Sequence, residues 1–215
     1  MSEEMFKRMA QAVVKGDKEA AAAVAREALD QGVDPLEAIN RGFTAGMDVV
    51  GELYSTGEYF LPDLILGGEA MKAALAVLEP ALQASGRQRK VLGVVVLGTV
   101  KGDIHEIGKA LVGSMLSANG FKVHDVGIDV DAPLFVAKAR EFDADIVALS
   151  ALLTTTMLRQ REVIEHLSEA GLRERVKVMV GGCPVTQAWA EQIGADGFAE
   201  DAAGAVVLAK KLMRA

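Results

Sequence analysis

Apolar positions follow two regimes along the chain. Up to about residue 85 they recur at helical spacing. From Lys90 onward they gather into short runs that alternate with amphipathic stretches. Residues three and four apart share a helix face, so Met5, Met9, Ala12 and Val13 mark a first helix over 3–14. Gly16 ends it, and Asp17 is placed to cap a second, alanine-rich helix over 18–31 that carries Val24, Ala28 and Leu29. Asp34-Pro35-Leu36-Glu37 reads as a third start: a capping aspartate, proline in the first turn and glutamate three residues after the cap. Ile39, Phe43, Met47, Val50 and Tyr54 continue that helix. A fourth runs from Leu61-Pro62-Asp63 toward Leu82 and turns Leu64, Ile65, Met71, Leu75 and Leu78 inward. Four amphipathic helices with short loops predict a small bundle over residues 1–85.

The later runs predict strands at Val91–Leu97, Phe121–Val126, Ile146–Ser150, Val176–Val180 and Asp196–Ala199. Between them, helices are expected at Ile107–Ala118, Ala132–Phe142, Met157–Ala170, Gln187–Ile193 and Ala202–Met213. Five strand–helix units with short loops predict a parallel sheet covered on both faces. The flavodoxin-like, Rossmann-like strand order 2-1-3-4-5 suits five strands. The fold class is therefore an all-α bundle followed by an α/β domain over 90–215. Pro80 to Arg89 mixes proline, glycine, serine and charge and marks the boundary.

Glycines complicate the bundle. Gly42, Gly46 and Gly51 fall within the third helix and Gly67-Gly68 within the fourth, each costing about 1 kcal/mol against alanine. Close helix packing explains most of them. Room for a flat ligand is the alternative.

Composition narrows the function. The net charge of −7 and the lack of a basic, aromatic-interleaved stripe argue against a nucleic-acid partner. Cys183 is the sole cysteine, so no intramolecular disulfide forms, which suits a reducing cytoplasm. No signal peptide or membrane span is evident, and a cytoplasmic location is the expectation.

Candidate chemistry sits where the first strand of the α/β domain meets its helix. There the chain reads Gly102-Asp103-Ile104-His105-Glu106-Ile107-Gly108. A neutral imidazole is a common metal ligand, and a carboxylate on its other nitrogen fixes the tautomer. A surface histidine beside a solvated aspartate explains the same residues. The other strand ends would share this edge, where open α/β sheets bind ligands. They bring Ser150-Ala151-Leu152-Leu153-Thr154-Thr155-Thr156, Gly181-Gly182-Cys183 and Ala199-Glu200-Asp201. Helix capping and a tight turn explain these singly. Together they suggest a slot beside a metal ligand. His124 and His166 carry no site reading.

Asp103-Ile104-His105 with Gly108, Ser150-Ala151-Leu152 and Gly181-Gly182 resemble the D-x-H-x-x-G, S-x-L and G-G motifs of cobalamin-binding domains. Gly57-Glu58-Tyr59-Phe60-Leu61-Pro62 is similar to a stretch in the helical cap of methionine synthase-like corrinoid proteins. The likeness runs over nearly the whole chain and is closest to free-standing corrinoid proteins of anaerobic methyltransferase systems. It implies a cobalamin or related corrinoid bound base-off/His-on, with His105 as lower ligand to cobalt. Asp103 would hold the other ring nitrogen and Thr156 would complete the relay. Gly102, Ile104, Glu106, Ile107 and Gly108 would complete the loop around His105. Ser150, Leu152, Thr154, Gly181, Gly182 and Cys183 would line the slot for the displaced nucleotide tail. Ala199, Glu200 and Asp201 would meet the corrin edge, and Phe60, Leu64 and Met71 its upper face.

The resemblance further implies a methyl carrier, not catalytic alone. It would serve a substrate-specific methyltransferase and a second methyltransferase acting on a thiol or tetrahydrofolate, with a reductive activase as a further partner. The Gln83–Lys90 linker would be the hinge. A cobalamin-dependent sensor is the alternative, disfavoured by the lack of room for an output domain. A mutase subunit is disfavoured by the helical half.

Overall fold

The computed structural model describes residues 2–84 and 91–214. The chain divides into two compact units, Met1–Lys90 and Val91–Ala215. Of the expected linker and hinge, residues 85–90 lie outside the described residues.

The first unit is helical: α1 (Ser2–Val14), α2 (Lys18–Asp30), a run made of α3 (Pro35–Glu37), a π-helical segment (Ala38–Phe43) and α4 (Thr44–Ser55), then α5 (Leu61–Ala84). The caps are those the sequence placed. Asp17 accepts from the Ala20 N–H at 2.8 Å, and Asp34 from the Leu36 and Glu37 N–H groups at 2.9 and 3.1 Å. The π segment departs from the expected uninterrupted α-helix. Its wider turn keeps Ala38, Ile39, Gly42 and Phe43 all buried. Spacings of three and four fit either helix, so the sequence pattern could not separate them. Two further expectations need correction. Ile65 is exposed, not inward. Gln83 and Ala84 of the expected hinge are helix: α5, expected toward Leu82, continues through Pro80 to Ala84, although proline supplies no N–H to the helix.

Gly57-Glu58-Tyr59-Phe60-Leu61-Pro62 turns α4 into α5. Gly57 adopts φ +79°, and the N–H groups of Gly57 and Glu58 close on the Tyr54 and Leu53 carbonyls. Asp63 reaches back to the Phe60 N–H at 2.8 Å. The Tyr59 hydroxyl donates to the Val14 carbonyl at 3.0 Å, tying the turn to the end of α1.

The second unit is a five-stranded parallel sheet of order β2-β1-β3-β4-β5, as expected. Its strands are β1 (Val94–Thr99), β2 (Lys122–Asp125), β3 (Ile146–Ser150), β4 (Lys177–Gly181) and β5 (Gly197–Ala199). Its helices are α6 (Ile107–Ala118), α7 (Ala132–Glu141), α8 (Leu158–Glu169), α9 (Gln187–Ile193) and α10 (Ala202–Leu212). Val96, Val147, Val178, Val180, Phe135, Leu167 and Trp189 belong to one buried apolar cluster. β-branched residues pack well on a pleated sheet covered by helices.

Register positions the site. Thr99, Ser150, Gly181 and Ala199 pair in one row across β1, β3, β4 and β5. The four loops that follow therefore start from one edge at one level.

Candidate functional site

The loop after β1 is shaped by backbone first. The Asp103 N–H returns to the Val100 carbonyl at 3.1 Å, and Gly102 takes φ +82° at the third position of this turn. The Gly102 N–H donates to the Asp129 carboxylate at 2.8 Å, and the Asp129 N–H to the Asp103 carbonyl at 2.9 Å. The Gly102 N–H, and then Lys101, hold the Asp129 carboxyl below its ordinary value. The loops after β1 and β2 thus brace one another. From below, the buried Thr99 hydroxyl donates to the His105 carbonyl at 2.9 Å.

Asp103 is fully buried at the centre. Its Oδ1 accepts from the His105 N–H at 3.1 Å, an Asx turn, and lies 2.7 Å from His105 Nδ1. Its Oδ2 accepts from the Leu152 N–H at 2.7 Å and the Thr156 hydroxyl at 2.6 Å. Burial alone would raise this carboxyl. The bonds from Thr156, Leu152 and His105 outweigh it and hold Asp103 well below the usual carboxylate range. Asp103 is therefore ionised at neutral pH and can only accept, so the neutral imidazole carries its proton on Nδ1. That tautomer leaves the Nε2 lone pair free to bind a metal. The imidazole bearing it is 47% exposed while Asp103 is sealed beneath.

Apolar side chains stand exposed beside His105, with the polar Glu106 among them. Ile104, Ile107, Leu152 and Leu153 are exposed, and a Cβ on Gly108 would meet nothing within 4 Å. A half-exposed imidazole with Nε2 unengaged, beside exposed apolar side chains, suits a broad, largely apolar macrocycle that carries a metal. The donor set fits a corrinoid.

The other expected residues divide into three groups. Ser150, Gly181 and Gly182 stand half-buried at the same edge, with Thr154, Glu106 and Cys183 exposed. Gly182 adopts φ +123°, and a Cβ there would lie 1.8 Å from the Ala151 carbonyl oxygen. Backbone contact, beyond a tight turn, requires this glycine. Ala199 is buried and Glu200 exposed, while Asp201 caps α10 through the Gly204 N–H at 2.7 Å. In the helical unit Phe60 is 67% exposed, but Leu64 and Met71 have no exposed surface. The glycines of that unit also separate. A Cβ on Gly42 or Gly46 would strike Met9 at 2.5 Å or the Ala10 carbonyl at 2.7 Å, whereas Gly51 and Gly68 face open space.

Sequence reasoning missed Thr99, Lys109 and Gln160, all buried. Lys109 pairs with Asp125 across α6 and β2. Its signal was a lone cation within the apolar run Ile107–Leu116. Gln160 had none, lying between Arg159 and Arg161.

Comparison with known proteins identifies the family. A family described as B12 binding domain matches residues 93–207, and a second family of that description matches residues 5–79. The chain is 47% identical to a corrinoid protein of Desulfitobacterium hafniense (strain Y51) over 97% of each chain. It is 49% identical to trimethylamine corrinoid protein 2 of Methanosarcina mazei, over 99% of this chain and 97% of that one. Among solved structures, the methanol:cobalamin methyltransferase complex of Methanosarcina barkeri contains a chain of TM-score 0.88 and 31% identity. That match covers all of this chain and 81% of the other.

Proposed function

The chain belongs to the B12-binding family of corrinoid proteins, and from that premise we propose that it carries a methyl group on a bound corrinoid between two methyltransferases. The first takes the methyl from a small substrate. The second delivers it to a thiol or tetrahydrofolate, and a reductive activase serves as a further partner. One observation carries this reading: an ionised, fully buried Asp103 holds His105 by Nδ1 and leaves Nε2 of the half-exposed ring unengaged.

When bound, the corrinoid supplies a cobalt centre that takes up and gives up a methyl group; the rest is the protein's work. His105 Nε2 would hold the cobalt, in base-off/His-on mode. Asp103 keeps the proton on Nδ1, and the Thr156 hydroxyl supports Asp103 from the far side. Ile104, Ile107, Leu152 and Leu153 would keep water from the face of the corrinoid next to His105. Ser150, Thr154, Gly181 and Gly182 border the space for a displaced nucleotide tail. Among the described residues no helix is long and apolar enough to cross a membrane.

The test is a transfer assay. Cobalamin-loaded protein is incubated with reductant, a methylamine or methanol methyltransferase and its methyl-labelled substrate. Label should accumulate on the protein's cobalamin and pass on when a thiol methyltransferase is added. Cobalamin bound firmly but never labelled would overturn the carrier reading in favour of a sensor.

A further inference from the structure

We propose that Gln160 is a positioning residue that sets the two walls of the nucleotide-tail slot, an inference that rests on the corrinoid reading above. Gln160 lies in the first turn of α8 with no exposed surface. Its Nε2 donates to the Leu149 carbonyl of β3 at 3.0 Å and to the Gly181 carbonyl of β4 at 3.2 Å. Its Oε1 accepts from the Trp189 indole N–H of α9 at 3.0 Å. Both amide hydrogens and the amide oxygen are used, so the side chain is fastened at every polar atom. One amide joins two strands and two helices.

The two carbonyls it holds stand where the walls begin. Leu149 immediately precedes Ser150-Ala151-Leu152, and Gly181 opens Gly181-Gly182. The walls meet just beyond this point: the Ala151 N–H donates to the Gly181 carbonyl at 3.1 Å, and Gly182 packs on the Ala151 backbone. The Gly181 oxygen thus accepts from Ala151 and from Gln160, and moving the amide moves both walls. Trp189 is itself held, since the Arg161 guanidinium sits 5.2 Å from its ring centroid. A methionine would fill this site with similar volume and no polar atoms to satisfy. A buried amide that uses all its bonds instead imposes one geometry.

The role predicts a selective loss. Cobalamin carries the nucleotide tail and cobinamide lacks it, so the pair separates slot from corrin face. Wild-type protein should bind cobalamin more tightly than cobinamide in equilibrium dialysis. Gln160→Met should weaken cobalamin binding about tenfold and leave cobinamide binding unchanged, the size expected from losing well-placed buried hydrogen bonds. Trp189→Phe keeps a ring and removes only the indole donor. It should shift cobalamin in the same direction by less, and serves if Gln160→Met does not fold. Equal weakening of both ligands, or no weakening of either, would overturn the assignment of Gln160. Wild-type protein that binds both ligands equally would overturn the tail-slot reading itself.

Discussion

The two units treat buried polar groups in opposite ways. The buried polar or charged residues among those described are Thr99, Asp103, Lys109, Asn119, Thr156 and Gln160, and all belong to the α/β unit. Each has a partner there: Asp103 four donors, Gln160 three bonds, Lys109 the Asp125 carboxylate, and Asn119 the Met115 carbonyl and the Lys210 ammonium. The helical unit fills its core with Met5, Met9, Met47, Met71, Phe6, Phe43 and many alanines. An unmet buried hydrogen bond costs about 1–3 kcal/mol, while flexible methionines repack around small changes. One unit therefore holds a fixed geometry and the other an adaptable core.

The sharpest contrast lies between glycines of the two units. Gly182→Ala places a Cβ against the Ala151 backbone at a positive φ, where nothing flexible can yield. We expect a loss of more than about 3 kcal/mol, read from the denaturant midpoint of the α/β unit. A loss under about 1 kcal/mol would show that the wall contact can relax.

Asp103→Asn comes next, at about 2–3 kcal/mol, because an amide nitrogen faces donors where a carboxylate oxygen stood. The pH dependence has a definite sign. The folded value of Asp103 lies below its unfolded value of about 4, so its contribution is complete above that pH. It is lost as pH falls from there through the folded value. Wild-type protein should lose stability over this acid range, and Asp103→Asn should lose less. Equal slopes in acid titrations followed by circular dichroism would contradict the network.

The smallest effect has the opposite sign. Gly68→Ala lies within α5 and meets nothing within 4 Å. It should stabilise the helical unit by about 1 kcal/mol, the helix propensity difference. Destabilisation there would mean that the bundle is packed as tightly as the α/β edge.

What could be read beforehand followed the same division. The α/β unit was legible because a parallel sheet writes each strand as an apolar run and each loop as a break. Ile107–Ala118, Ile146–Ser150 and Gln187–Ile193 match the expected bounds. The polar core of the site was legible through the resemblance: Asp103 and His105 alone are equally explained as a surface pair, and Thr156 is marked only by its place in the family pattern. Gln160 was not legible, since only tertiary packing decides whether a polar residue between two arginines points in or out. The helical unit was legible in its helices and less so in its faces. Ile65 and Leu64 are neighbours of equal hydrophobicity, yet one is exposed and the other buried. The π segment hid for the same reason: its apolar spacing is also that of an α-helix.

The most direct test of the central claim is electron paramagnetic resonance of the reduced, paramagnetic cobalamin-loaded protein prepared with heavy-nitrogen-labelled histidine. A single axial nitrogen splits the cobalt lines into triplets with ordinary nitrogen and doublets with the heavy isotope. We expect triplets that become doublets on labelling, and their loss in His105→Ala. Triplets that persist with labelled histidine would mean that the cofactor's own base holds the metal, and that the Asp103–His105 pair is not its lower ligand system.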